Sequence, residues 1–141
     1  MKATFTVEPF SFTGAGVHIP PSGNASLLQA DAIKSQLRRL PEGHLLAVFQ
    51  IASPDDLHSD IWEMHPAGDE VLLMLTGELD VEYSDGSCRA TSTLESGRGV
   101  VMPKGVWHRL LLREPGLLMA LSPSHGTQWS RRPGQHESKS T

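Results

Sequence analysis

Residues 62–78 read WEMHPAGDEVLLMLTGE. Four titratable groups, Glu63, His65, Asp69 and Glu70, fall within eight residues and run directly into an apolar stretch. Side chains of a strand alternate between faces, so on a strand over 60–65 Glu63 and His65 share one side while Trp62 and Met64 take the other. The break PAGD follows, and Glu70 then opens a second strand with Leu72 and Met74 on its side. If Glu70 faces the interior that His65 faces, two carboxylates and one imidazole converge across a hairpin. The run 70–75, EVLLML, is apolar on both faces, which calls for a covering helix or a subunit interface.

Working outward, the same texture continues. Short apolar runs at 44–52, 60–65, 70–75, 78–83, 87–95, 99–103, 106–112 and 116–122 are separated by SPDD, PAGD, TG, SDG, SG, PKG and REPG. Eight strands at that spacing argue for an all-β sandwich or barrel. In ELDVEY, Leu79, Val81 and Tyr83 form the inward face of a half-buried strand. Residues 1–43 read as an N-terminal arm. It holds an edge strand over 3–12, limited by Pro9, a Gly- and Pro-rich loop over 13–24, and a segment over 25–40 that reads either as a helix, on the 3/4 spacing of Leu27, Ala30, Ile33, Leu37 and Leu40, or as mixed turn and strand. The barrel then spans 44–123. The tail 124–141 lacks aliphatic residues and reads as disordered or draped on the surface, with Trp129 as its possible anchor.

Composition narrows the function classes. The chain has 141 residues, 38% hydrophobic and 20% charged, and suits one domain with a sizeable core. A net charge of −4 provides no basic field for nucleic acid. Cys88 is the lone cysteine, so no internal disulfide forms. The first residues read as no signal peptide, and no apolar window is long enough for a membrane span. A cytoplasmic protein with no membrane and no nucleic-acid partner is expected.

A second polar cluster lies about 40 residues beyond the first. GRGVVMPKGVWHRLLL, 97–112, reads as a strand, a Pro-Lys-Gly turn and a strand bearing His108, with Leu110 and Leu112 on its side. Together the two clusters resemble the paired motifs of the cupin superfamily, in its small single-domain form with a cupin 2 type barrel. Their first motif has the form G-x5-H-x-H-x(3,4)-E-x6-G. Glu63, His65, Glu70 and Gly77 stand at its last four positions, with Glu63 in place of the first histidine. Their second has the form G-x5-P-x-G-x2-H-x3-N, and Gly97, Pro103, Gly105 and His108 match it in identity and spacing. The likeness covers 44–123. Leu57 takes the place of the opening glycine and Leu112 that of the closing asparagine.

The resemblance implies a double-stranded β-helix, a jelly-roll barrel, holding one divalent metal ion. Carried over by position, the ligands are Glu63, His65, Glu70 and His108. Two imidazoles and two carboxylates suit Fe, Zn, Ni or Mn and disfavour Cu(I), because the set has no thiolate. A dioxygenase or an isomerase or lyase on a small organic molecule is one reading, with Glu63 or Glu70 as a base. A metal-free, non-catalytic pocket for a small ligand is the other, since one fold hosts many functions. The resemblance and the apolar strand faces also imply a homodimer.

Other residues carry bland readings. Asp69 suits a turn cap. Trp107 faces away from His108's side, His58 faces outward, and His44, His18, His125 and His136 read as rim or solvated. Cys88 lacks the electropositive setting of a nucleophile. Met74, Tyr83, Met102 and Leu110 are the pocket walls that parity suggests.

Overall fold

The computed structural model describes residues 4–29 and 40–134. Its strands are β1 (Ala15–Ile19), β2 (Ser26–Gln29), β3 (His44–Ile51), β4 (Trp62–Met64), β5 (Glu70–Ser84), β6 (Arg89–Leu94), β7 (Arg98–Met102), β8 (Trp107–Pro123) and β9 (Gln128–Ser130), with a short 3₁₀ turn at Pro54–Leu57. The architecture is the all-β jelly roll expected.

Two of the breaks expected from turn residues are not breaks. Runs 70–75 and 78–83 join into the single long β5, and runs 106–112 and 116–122 join into β8. The TG and REPG segments lie opposite each other in the β5–β8 ladder, where the register shifts. There the two backbones come too close for side chains. A Cβ on Gly77, whose φ is +82°, would lie 2.6 Å from the Pro115 carbonyl oxygen, and one on Gly116 would strike the Thr76 carbonyl. The glycines therefore permit bulges rather than a chain reversal.

These bulges organise the fold. Above them, Val71–Met74 pair with Leu121–Leu118 of β8, and that half of β8 continues through β3 to β1 and β2, while β7 lies on the other side of β5. Below them, Leu79–Ser84 pair with Leu112–Trp107, flanked by β6 on one side and by β4 and β9 on the other. One strand pair thus runs through both halves of a single nine-stranded hydrogen-bonded ladder, the upper and the lower sheet. The bulges also reset side-chain parity. On β5 the residues buried in the core or the cluster are even-numbered at Glu70, Leu72 and Met74 and odd-numbered at Leu79 and Val81, while Ser84 is buried on the opposite face beside its partner Trp107. Leu72, Met74, Leu79 and Val81 together with Ile51, Leu94, Met102, Leu118 and Ala120 form the core, where burial of each Val, Leu, Ile or Met side chain contributes about 1.5–3 kcal/mol.

The N-terminal arm differs from expectation. Residues 5–12 form no strand, and the first ladder lies over Ala15–Ile19, inside the segment read as loop. Ser26–Gln29, placed in the expected helix, instead forms a strand antiparallel to β1. The open edge of β1 offers those residues a ladder that an isolated helical turn lacks. Residues 30–39 of that helix lie outside the described residues. The tail also departs from expectation over Gln128–Ser130, which pairs with β4 as β9.

Gly77→Ala is expected to lower unfolding stability by about 2–4 kcal/mol, through combined backbone strain and collision. Gly86, at φ +99° but with nothing within 4 Å of an added Cβ, should cost only about 1 kcal/mol on the same change. Denaturant midpoints of the two variants, compared at equal slope, check the difference.

Candidate metal centre

The motif stretch is not a hairpin. β4 and β5 do not pair; β4 lies between β8 and β9, whereas β5 pairs with β6, β7 and β8. Glu63 sits on β4 directly opposite His108 of β8. His65 follows just after β4, and Glu70 opens β5 in the upper sheet. The four residues therefore meet across the gap between the sheets rather than across a turn. Two contacts between the motif loops support this. The Gly105 amide donates to the His65 carbonyl at 2.9 Å, and the Lys104 amide donates to Asp69 Oδ1 at 2.8 Å. Asp69 thus acts as a cap, as its type suggests, but for the partner loop.

Each of the four side chains offers one ligand atom, and these atoms all lie within 4.8 Å of one another. His65 Nε2 is 2.8 Å from Glu63 Oε1 and 3.1 Å from Glu70 Oε2, and His108 Nε2 is 2.9 Å from Glu70 Oε1. The imidazole centroids are 5.6 Å apart. His65, Glu70 and His108 are buried, whereas the Glu63 side chain is 36% exposed and forms the open side.

The far nitrogens of both rings are engaged. His108 Nδ1 lies 3.2 Å from the Val106 carbonyl oxygen, which can only accept, so Nδ1 carries the proton. His65 Nδ1 lies 2.9 Å from Thr127 Oγ1, which can accept its proton in the same way. Both Nε2 atoms are thereby presented to the centre, the arrangement that metal-ligating histidines require of their outer partners. Ser122 Oγ donates to Glu70 Oε2. Two imidazole nitrogens and two carboxylates, with total charge −2 when the rings are neutral, match a divalent ion in donor type and charge.

Protons can fill the same role as a cation. Burial works to lower the His65 pKa, but hydrogen bonds to Glu63 and Glu70 outweigh it and raise the ring to about 10. His108 is also raised, with burial opposed by its bond to Glu70. Glu70 is pushed well below the usual carboxylate range, because its bonds to His108 and His65 outweigh burial.

The residues expected as pocket walls lie in or against the apolar core. Met74 and Met102 are buried in the core, and Tyr83 and Leu110 pack against it. His58 lies at the end of the 3₁₀ turn, in the left-handed region at φ 48°, and not on β4. His18, read as solvated, is buried, with Nε2 3.0 Å from Ser124 Oγ and 3.2 Å from the Pro41 carbonyl oxygen. It ties β1 to the end of β8. Trp107 is buried and Cys88 is exposed. Thr127 and Ser122 escaped the sequence reading. Ser122 does sit on the inward parity of β8, but nothing in the polar tail marks Thr127.

No family model matches the chain. It is 35% identical over 48 residues to an uncharacterized protein, YdbB, of Bacillus subtilis, spanning 34% of this chain and 40% of that one. Among solved structures it is similar to a TDP-quinovose 3,4-ketoisomerase from Campylobacter jejuni, at 19% identity and a TM-score of 0.48, over 56% of this chain and 60% of that one. It is also similar to a cupin-2 domain protein from Shewanella frigidimarina, at 25% identity and a TM-score of 0.41, over 58% and 70% of the two chains. The chain therefore spans well under two thirds of the curated relative. Its own jelly roll carries the first motif on β4 and β5 and the second around β7 and β8.

The proton positions make metal uptake and pH interdependent. His65 is raised in the fold, so the stability it contributes to metal-free protein is complete below its ordinary value of 6.5 and is lost as pH rises towards about 10. The melting temperature of metal-free protein should fall over that interval, and His65→Gln should flatten the fall. A divalent ion displaces the His65 Nε2 proton, so binding at pH 7 should release at least about one proton per ion. Titration calorimetry in buffers of different ionisation enthalpy measures the release.

Proposed function

We propose that the chain is a mononuclear metalloenzyme acting on a small organic molecule, with Glu63, His65, Glu70 and His108 holding one divalent ion. The observation that supports this reading is the presentation of both Nε2 atoms to the two carboxylates at one centre, with Val106 and Thr127 engaging the far nitrogens. Fe, Mn, Ni and Zn are the candidate ions. Bound there, such an ion supplies Lewis acidity for an isomerase or lyase, or a redox centre for a dioxygenase.

The chain's own groups divide the work. Glu70 is fixed by His65, His108 and Ser122 and has little freedom to take up a proton. Glu63 has one partner at 2.8 Å and an open side, and so is the carboxylate placed to accept a proton from a bound molecule. Elemental analysis of the purified chain tests the proposal. One ion per chain is expected in the wild type, falling to trace in His65→Ala and His108→Ala. Wild-type protein that stays metal-free after reconstitution with all four ions would leave the alternative, a non-catalytic small-ligand pocket neutralised by its own protons.

We propose in addition that the protein acts as a cytoplasmic homodimer. The exposed thiol of Cys88 suits a reducing compartment. Among the described residues, no helix is long and apolar enough to cross a membrane. On the outer face of the upper sheet Leu73, Leu75 and Val101 are exposed, and Leu75 and Met119 border an apolar cavity of about 240 Å³ completed by Phe10 and Phe12 of the arm. None of the four cluster residues lines it. A covering copy would bury this surface. Leu73→Asp with Leu75→Asp should convert a dimer to a monomer in light scattering while leaving the far-ultraviolet circular dichroism unchanged.

A further inference from the structure

We infer that the candidate metal centre accepts a small ligand with an oxygen-bearing head and a flat, apolar body, and that Trp129 and Tyr83 form the walls that select this body. The inference rests on the metal reading above and extends it to the substrate class.

Residues paired directly across antiparallel strands project to the same side of the sheet. Trp129 of β9 pairs with Glu63 of β4, Glu63 pairs with His108 of β8, and His108 pairs with Tyr83 of β5. These four therefore form one row on the inner face of the lower sheet, with two ligand-bearing residues in the middle and an aromatic ring at each end. The tryptophans differ sharply in exposure. Trp62 and Trp107 are 2% and 6% exposed, but Trp129 is 37% exposed. Trp129 therefore projects from the side of the sheet that it shares with Glu63, with part of its surface accessible, and Glu63 is itself the open edge of the cluster.

The surrounding chemistry narrows the ligand. Arg109 and Arg113 of β8 are paired with Glu82 and Asp80 on the outer side, and Arg109 also stacks on Trp62 at 4.9 Å. They are not directed to the cluster, so a phosphate finds no guanidinium fork from β8. Tyr83 and Leu110 on the inner side pack against the apolar core. A ligand here gains affinity from aromatic and apolar contact with its body, while its oxygen head meets the ion. The segment after β8 supplies both parts of this arrangement, since Thr127 supports His65 and Trp129 follows two residues later.

The test uses the full chain loaded with Co(II), read by its visible absorption, with benzoate and acetate as probes sharing one head. Benzoate should bind about tenfold more tightly than acetate. Trp129→Ala should bring the two acids within about twofold of each other while cobalt stoichiometry stays at one per chain. Should that variant fold poorly, Trp129→Phe and Trp129→Leu decide the matter: the first should keep the preference for benzoate and the second should lose it. Equal affinity for both acids in the wild type, no spectral response to benzoate, or a preference that survives in the leucine variant would overturn the inference while leaving the metal reading in place. Failure of the wild type to take up cobalt would overturn the metal reading itself, and this inference with it.

Discussion

The carboxylate of Glu70 is buried, and an ionised group in that position must be compensated in full. It is met by Nε2 of His65 and of His108 and by the Ser122 hydroxyl. Those partners come from the segment after β4 and from the two ends of β8. Glu70 opens the strand that forms the centre of the upper sheet, while His108 belongs to the lower one. The charge requirement of one side chain thus becomes a clamp between sheets. Removing either histidine leaves a buried carboxylate short of a partner, so the cluster serves stability as well as chemistry.

The clamp works only because β5 and β8 pass through both sheets. The Gly77 and Gly116 bulges turn the ribbon and reverse the inward parity on β5, so that Glu70 and Tyr83, thirteen residues apart and of opposite parity, both face the interior. Without that reversal Leu79 and Val81 would point outward and the lower half of the core would be lost. Bulge geometry and site geometry are therefore a single constraint: the turn of the ribbon fixes how closely the heads of the two sheets approach, and the cluster occupies that approach.

This also explains what could be read from residue order. Alternation within 78–83 placed Leu79, Val81 and Tyr83 on the inward side, because a period of 2 is a local property, whereas 70–75 is apolar on both faces and parity could only group Leu72 and Met74 with Glu70. The continuity of the long strands was not legible, since Gly and Pro signal a turn and a bulge with the same letters. Pairing of Ser26–Gln29 with β1 and of β9 with β4 is decided by vacant strand edges, which no local pattern encodes. Glu63, His65, Glu70 and His108 were found through motif spacing, whereas Thr127 reaches His65 from 62 residues away in a polar segment without periodicity.

The glutamate at 63 changes the charge at the centre. Two carboxylates balance two protonated imidazoles, or one divalent ion with neutral imidazoles, and either filling brings the cluster to zero net charge. A histidine at that position would leave a divalent centre with one net positive charge and a general attraction for anions. With Glu63 present that attraction is largely cancelled, so an anionic head alone gains little. Discrimination between ligands then falls to the surfaces that meet the rest of the molecule, and on the inner row those are Trp129 and Tyr83. The charge of Glu63 and the exposure of Trp129, paired neighbours on adjacent strands, are on this view two parts of one specificity device.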